Sequence, residues 1–256
     1  MSNYDNMDER QKQRRRRRGL SIFRLKVIAG LFLALSVAST AVVPAFMGSD
    51  LTQMSTLTAI VLTEVASWAA IPIYAWLLVN GYRRTHNKVA YAGQLTALAL
   101  VTEIPYDLAT FGRMFDFSSQ NPVFALVVGI VVLVLIDVVR ERYAGAAAAG
   151  LILLIALIGA LWNLVLRAGV RQGLMNIGII LLGFVLIFYL VDRFENTMMM
   201  SAGLLGAVSF IAPAVGVAFL HYYNGRLGYR YPWTKWAFYA LYPAMLLVGA
   251  GLSVGA

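Results

Sequence analysis

Two glutamates stand inside long apolar stretches of this chain: Glu64 within residues 57–81, and Glu103 near the end of residues 88–108. A carboxyl group in apolar surroundings can hold a proton at neutral pH and pass it on, as a general acid or base does. It can equally stay neutral and bond to a neighbouring helix, and the isolation of Glu64 favours that structural role. Glu103 opens the densest polar cluster, Glu103-Ile104-Pro105-Tyr106-Asp107, where Pro105 should break a helix and free carbonyl groups. Two separated carboxylates make no transport path, and a transporter would need a continuous polar face and paired broken helices. His86 and His221 have no further histidine or carboxylate at ligand spacing, so neither a metal site nor a haem site is expected. The chain has no cysteine, which excludes disulfides, thiolate metal sites, cysteine nucleophiles and cysteine-attached haem. No cofactor is expected.

The elements that must position these groups are membrane helices. The chain is 60% hydrophobic and 13% charged, against about 25% charged in soluble domains. A run of about 20 apolar residues spans a bilayer core of roughly 30 Å, and only a helix satisfies its backbone there without a partner strand. The pattern predicts an all-α polytopic transmembrane helix bundle of about eight spans, at residues 26–47, 57–81, 88–108, 120–140, 146–166, 172–191, 199–220 and 235–254. Residues 1–25 read as a disordered, basic cytoplasmic tail and 26–256 as the bundle. The first apolar run is too long for a signal-peptide core and is expected to remain as a span.

Lysine and arginine in the early flanks (Arg14 to Arg18, Arg24, Lys26, Arg83, Arg84, Lys88, Arg140, Arg142) place both termini in the cytoplasm of a multi-pass plasma-membrane protein. On that reading His86 and His221 fall on opposite sides. The outer side then holds Arg113, Arg167, Arg171, Arg226, Arg230 and Lys235, so the last four spans taken alone, with five basic residues in their outer loops and one in their inner loop, oppose the rule.

Arg14, Arg15, Arg16, Arg17 and Arg18 precede a span, which favours contact with anionic lipid headgroups over nucleic acid. The loop from His221 to Trp233 is rich in tyrosine and arginine. It reads as an interfacial aromatic belt or as a docking surface made by Tyr222, Tyr223, Asn224, Arg226, Tyr229, Arg230 and Trp233. Small residues at 144–150 and at Gly203, Gly206, Gly216, Gly249, Gly251 and Gly255 suit close helix packing, within the bundle or against a partner's helix.

Several stretches carry a family likeness. Ile71-Pro72-Ile73-Tyr74-Ala75-Trp76 with Gly81-Tyr82 and Thr85, then Ile104-Pro105-Tyr106, Asn121 to Phe124, Tyr223-Asn224-Gly225, Lys235, Phe238-Tyr239 and Tyr242-Pro243 resemble the TraX-like membrane proteins. The likeness covers most of residues 26 to 250, and the founding members are linked to pilin acetylation. It implies a membrane acyltransferase acting on a lipid, glycan or protein terminus; in this chain a shifted mechanism would have Glu64 and Glu103 as acid–base groups and Asn224 and Arg226 at the mouth. The departures point elsewhere. Ser36-Val37 stand where the family carries Asp-His, Ser67-Trp68 where it carries Gly-Arg, and Met245 where it carries a histidine. Acyl transfer needs a base beside the acceptor; Val37 and Met245 cannot take a proton, and Trp68 cannot neutralise a phosphate or carboxylate as an arginine would. The whole chain also resembles a small accessory subunit of the actinobacterial cytochrome bcc–aa3 respiratory supercomplex. The leading expectation is therefore a non-catalytic accessory or assembly subunit. Its partners would be other integral membrane subunits, the respiratory oxidase and reductase subunits among them, which would carry the haem and copper.

Overall fold

Apolar runs that satisfy their backbone internally fold as helices. In the computed structural model, which describes residues 19–48, 50, 52–170, 175–231 and 233–254, they do so in nearly every case. The arginine run 14–18, expected to touch lipid headgroups, lies outside the described residues. Among those residues no strand forms, and a single bridge joins Leu20 to Tyr223.

Helix α1, Ile22–Val37, starts at Ser21, whose Oγ accepts from the Arg24 N–H at 3.4 Å. It widens into a π-helical turn at Ala38–Val42 before α2, Val43–Met47. The Ser39 hydroxyl donates to the Ser36 carbonyl at 2.8 Å and the Thr40 hydroxyl to that of Val37 at 3.2 Å, competing with the backbone ladder where it widens. The stretch expected as one span at 57–81 is two helices, α3 (Met54–Ser67) and α4 (Ala70–Arg84), broken at Trp68-Ala69. Pro72 explains the break, because it has no N–H to give the Trp68 carbonyl.

Helix α5, Lys88–Phe111, runs unbroken through Pro105, contrary to the break expected there. One missing bond does not end a long helix that packs along α11 and α6. The remaining helices are α6 (Val123–Arg142), α7 (Gly145–Leu166), α8 (Ile177–Leu190), α9 (Glu195–Val208), α10 (Ala212–His221) and α11 (Thr234–Val254). Among the described residues, four helical stretches are long and apolar enough to cross a membrane: Ile22–Met47, Met54–Arg84, Val123–Arg142 and Gly145–Leu166. The core lies where α4, α6 and α8 meet, around Ile73, Ile130, Leu133 and Phe184, each fully buried. Helix α7 is the most exposed of the four long stretches.

The expected span at 199–220 is not a single rod. Helices α9 and α10 fold back on each other across Ser209, Phe210 and Ile211. Phe210 and Ile211 take left-handed φ values of 64° and 66°. The two helices cross so closely at Gly206 that a Cβ there would stand 2.5 Å from the Ala214 nitrogen. The start of α9 (Glu195, Met198) and the end of α10 (Leu220) line one small cavity together, so both open ends of the hairpin point the same way. The hairpin tip rests on the α3–α4 break, with Phe210 against the Trp68 ring at 5.2 Å.

The hairpin corrects a placement. The loop after His221 lies at the same end as the start of α1 and the α4–α5 turn, not opposite them. Leu20 N–H donates to the Tyr222 carbonyl at 2.7 Å, Ile22 N–H to that of Arg226 at 2.9 Å, and Arg84 to the Tyr223 hydroxyl at 3.1 Å. His86 and His221 therefore share one end of the molecule. An apolar run of 22 residues reads alike as one crossing or as two half-helices, and the glycines that permit the fold-back look like ordinary packing residues.

Candidate functional site

Four helices turn one face each toward a common cavity. On α4 the residues are Ile71, Tyr74, Leu78 and Gly81; on α5 Tyr91, Gln94, Leu95 and Leu98; on α11 Lys235, Phe238, Tyr239 and Tyr242. These spacings of three and four put each set on one stripe. Helix α1 adds Ile22, Lys26, Leu33 and Ser36, and α6 and α8 close the wall with Leu126 and Leu181. The cavity volume is about 440 Å³. Gly81 is required, since a Cβ there would meet the Tyr91 hydroxyl at 2.7 Å.

The two ends of the cavity differ. Its floor, at the α3–α4 break, carries Ser36, Ser67 and Trp68. Its other end carries Lys26, Arg84 and Lys235. Lys26 lies over the Tyr229 and Phe238 rings at 5.5 and 5.2 Å, and Lys235 over the Trp236 ring at 5.0 Å. No aspartate, glutamate or histidine lines the cavity among the described residues. Adjacent cations are neutralised: Arg83 pairs with Asp192 at 2.6 Å and Lys88 with Asp137.

Glu64 sits just behind the floor, almost wholly buried. Its Oε2 accepts from the Ser39 hydroxyl at 2.6 Å and the Ser36 hydroxyl at 3.4 Å, and its Oε1 accepts from Trp68 Nε1 at 3.3 Å. Two departures from the family pattern, Ser36 and Trp68, thus converge on one carboxyl group. The other two, Val37 and Met245, pack with Tyr242 and Leu246 in an apolar cluster.

Glu103 is elsewhere. Its Oε2 accepts from the Asn121 backbone N–H at 3.1 Å and from the Asn121 side chain. Its Oε1, Asp107 Oδ1 and the hydroxyls of Thr102 and Thr110 are buried with no partner among the described residues. Glu64 and Glu103 share no bond, and neither lines the cavity. In the α5–α6 loop the Ser118 hydroxyl and N–H, with Arg113 nearby, hold the exposed Asp116 carboxyl below the usual carboxylate range.

The aromatic loop divides in two. Tyr223 packs its ring on Trp76 at 4.6 Å, Asn224 Nδ2 donates to the Gly19 carbonyl at 2.9 Å, and Tyr229 meets Phe23 edge-on at 6.5 Å. These residues strap the loop to the start of α1, helped by the Arg226 carbonyl. Tyr222, Arg230 and Trp233 stay exposed, as does the Arg226 side chain.

Sequence reasoning missed Asp137, which accepts from Lys88, Tyr82 and Tyr189. Its signal was available: a carboxylate in an apolar run, like Glu64. It also missed the meeting of Lys26, Arg84 and Lys235, which only the folded-back hairpin brings to one end.

A family model described as TraX protein matches residues 40–253. Neither a curated protein nor a solved structure matches the chain.

Proposed function

The chain belongs to the TraX family of membrane proteins, and from that premise we propose that this member is a non-catalytic accessory or assembly subunit of a larger membrane complex. The respiratory bcc–aa3 supercomplex is the candidate its overall likeness offers. The observation that carries the reading is the cavity wall, which presents cations, hydroxyls and aromatic rings but no carboxylate or imidazole base among the described residues. The largely uncovered α7, with its alanine-rich start at 144–150, offers a partner helix a smooth face. Gentle detergent extraction followed by mass spectrometry of co-purifying chains tests the proposal. A stoichiometric integral membrane partner is expected, and a chain that migrates alone would defeat it.

One observation favours the acyltransferase alternative: Ser36 and Ser67 face the cavity with Glu64 behind Ser36. Acyl transfer by the isolated chain, lost in Glu64→Gln, would establish that reading.

The proposed topology has seven crossings, with α9–α10 entering and leaving from the basic end and the N-terminus cytoplasmic. It moves Arg226, Arg230 and Lys235 to the cytoplasmic side and so removes the conflict with the charge rule. Because the chain has no cysteine, single cysteines replacing His86 and Arg230 report sidedness directly. Both should react with an impermeant thiol reagent from the same face. Labelling from opposite faces would restore a crossing at 199–220.

A further inference from the structure

We infer that the cavity holds a single-chain anionic amphiphile, its phosphate headgroup on Lys26, Arg84 and Lys235 and its hydrocarbon chain running toward Ser36 and Trp68. The inference rests on the binding, non-catalytic reading of the same cavity.

The charge comes first. Lys26 is half-buried and faces only aromatic rings, Arg84 has only a tyrosine hydroxyl, and Lys235 only a tryptophan ring, among the described residues. Partly burying a cation without an anion is costly, which applies to Lys26, while Arg84 and Lys235 line the cavity as exposed cations. The neighbouring Arg83 and Lys88 are paired with carboxylates, whereas the three cations that line the cavity have no carboxylate partner among the described residues. Two lysines and an arginine suit a multiply charged oxyanion, and the arginine fork can engage two phosphate oxygens.

The shape gives the rest. The wall between the two ends is mostly aliphatic, with Leu33, Ile71, Leu78, Leu95, Leu98 and Leu126, and its polar atoms come from Gln94 and from tyrosines such as Tyr74 and Tyr242. A volume of about 440 Å³ sits low in the range of roughly 300–1,000 Å³ typical of ligand sites, so one chain fits better than two. The aromatic residues Tyr229, Phe238 and Tyr239 lie between the basic end and the apolar wall, where an amphiphile's headgroup meets its chain.

The test uses the full chain purified in an uncharged sugar detergent, with binding read by native mass spectrometry and by thermal shift. Three probes separate the sources of affinity: a lysophosphatidate, the monoacylglycerol of the same chain length, and inorganic phosphate. The lysophosphatidate should bind at least about tenfold more tightly than the monoacylglycerol, the worth of one charge-assisted contact, and inorganic phosphate should not bind measurably. Lengthening the chain should raise affinity about fourfold per methylene until the cavity is full. Arg84→Gln with Lys235→Gln should lose at least about tenfold for the lysophosphatidate and nothing for the monoacylglycerol. Both side chains are exposed, so the fold should survive, and an unchanged melt without ligand checks it. Leu98→Trp should abolish binding of both amphiphiles by filling the cavity.

Equal affinity for charged and uncharged amphiphiles, or no effect of the double substitution, overturns the inference. So does inorganic phosphate binding as well as the lysophosphatidate. Cleavage or acyl transfer of the probe, visible as a mass change in the same spectra, would overturn the non-catalytic reading while leaving the ligand class standing.

Discussion

Glu64 and Glu103 look alike in the sequence and live in opposite conditions in the fold. Glu64 has donors on both oxygens, from Ser36, Ser39 and Trp68, supplied by α1 and by the end of its own α3. Glu103 has one oxygen served twice by Asn121 and the other without a partner among the described residues, in a neighbourhood where the Thr102 and Thr110 hydroxyls and Asp107 Oδ1 also lack one, while Asp107 Oδ2 accepts from the Asp116 N–H at 2.9 Å. The first is a closed knot that fixes α1 against the α3–α4 break. The second is an incomplete network that hangs on one amide. A buried polar network is stabilising only as far as its members are satisfied, so the two regions should answer substitution differently.

The sharpest way to break the comparison is at Asn121. Its fully buried side chain donates to Glu103 and to the Ala99 carbonyl at 2.8 Å and accepts from the Val123 N–H at 2.9 Å. Asn121→Ala strips three groups at once and should cost about 3 kcal/mol of stability, measured by denaturant unfolding in bicelles. A loss under about 1 kcal/mol would mean that the network contributes little and that the contrast with Glu64 is only apparent. Glu64→Leu should come next, at about 2 kcal/mol. The Trp68 N–H loses its acceptor, while the Ser39 hydroxyl still has the Ser36 carbonyl to fall back on. A loss at Glu64 exceeding that at Asn121 would reverse the ranking.

The helices were legible because apolar length and a 3.6-residue period leave little choice in lipid. The direction of the chain was legible only as far as α8. Beyond it the same composition serves a crossing or a fold-back, and the decision lies in Gly206 meeting Ala214 and in the left-handed turn at Phe210-Ile211, neither of which a hydropathy pattern records. Glu64 was legible as a buried carboxyl with a structural task, but its partners were not, since Ser36 lies 28 residues away on another helix. The cavity was the least legible feature. Lys26, Arg84 and Lys235 come from three helices, and in sequence each is one more basic residue at a helix end. The family likeness marked Ser36 and Trp68 as departures, and the fold gives them a shared reason, since both donate to the same carboxyl group.

The smallest effect should come from Glu103→Gln. The amide oxygen can still accept from Asn121, and the exchanged group takes the place of an oxygen that has no donor to lose. The net change should stay within about 0.5 kcal/mol in either direction. The same exchange at Glu64 puts an amide N–H₂ where a serine or tryptophan donor now points, and should cost about 1 kcal/mol. Equal costs at the two positions would show that Glu103 has as complete a set of partners as Glu64, and the distinction between a closed knot and an open network would fall with it.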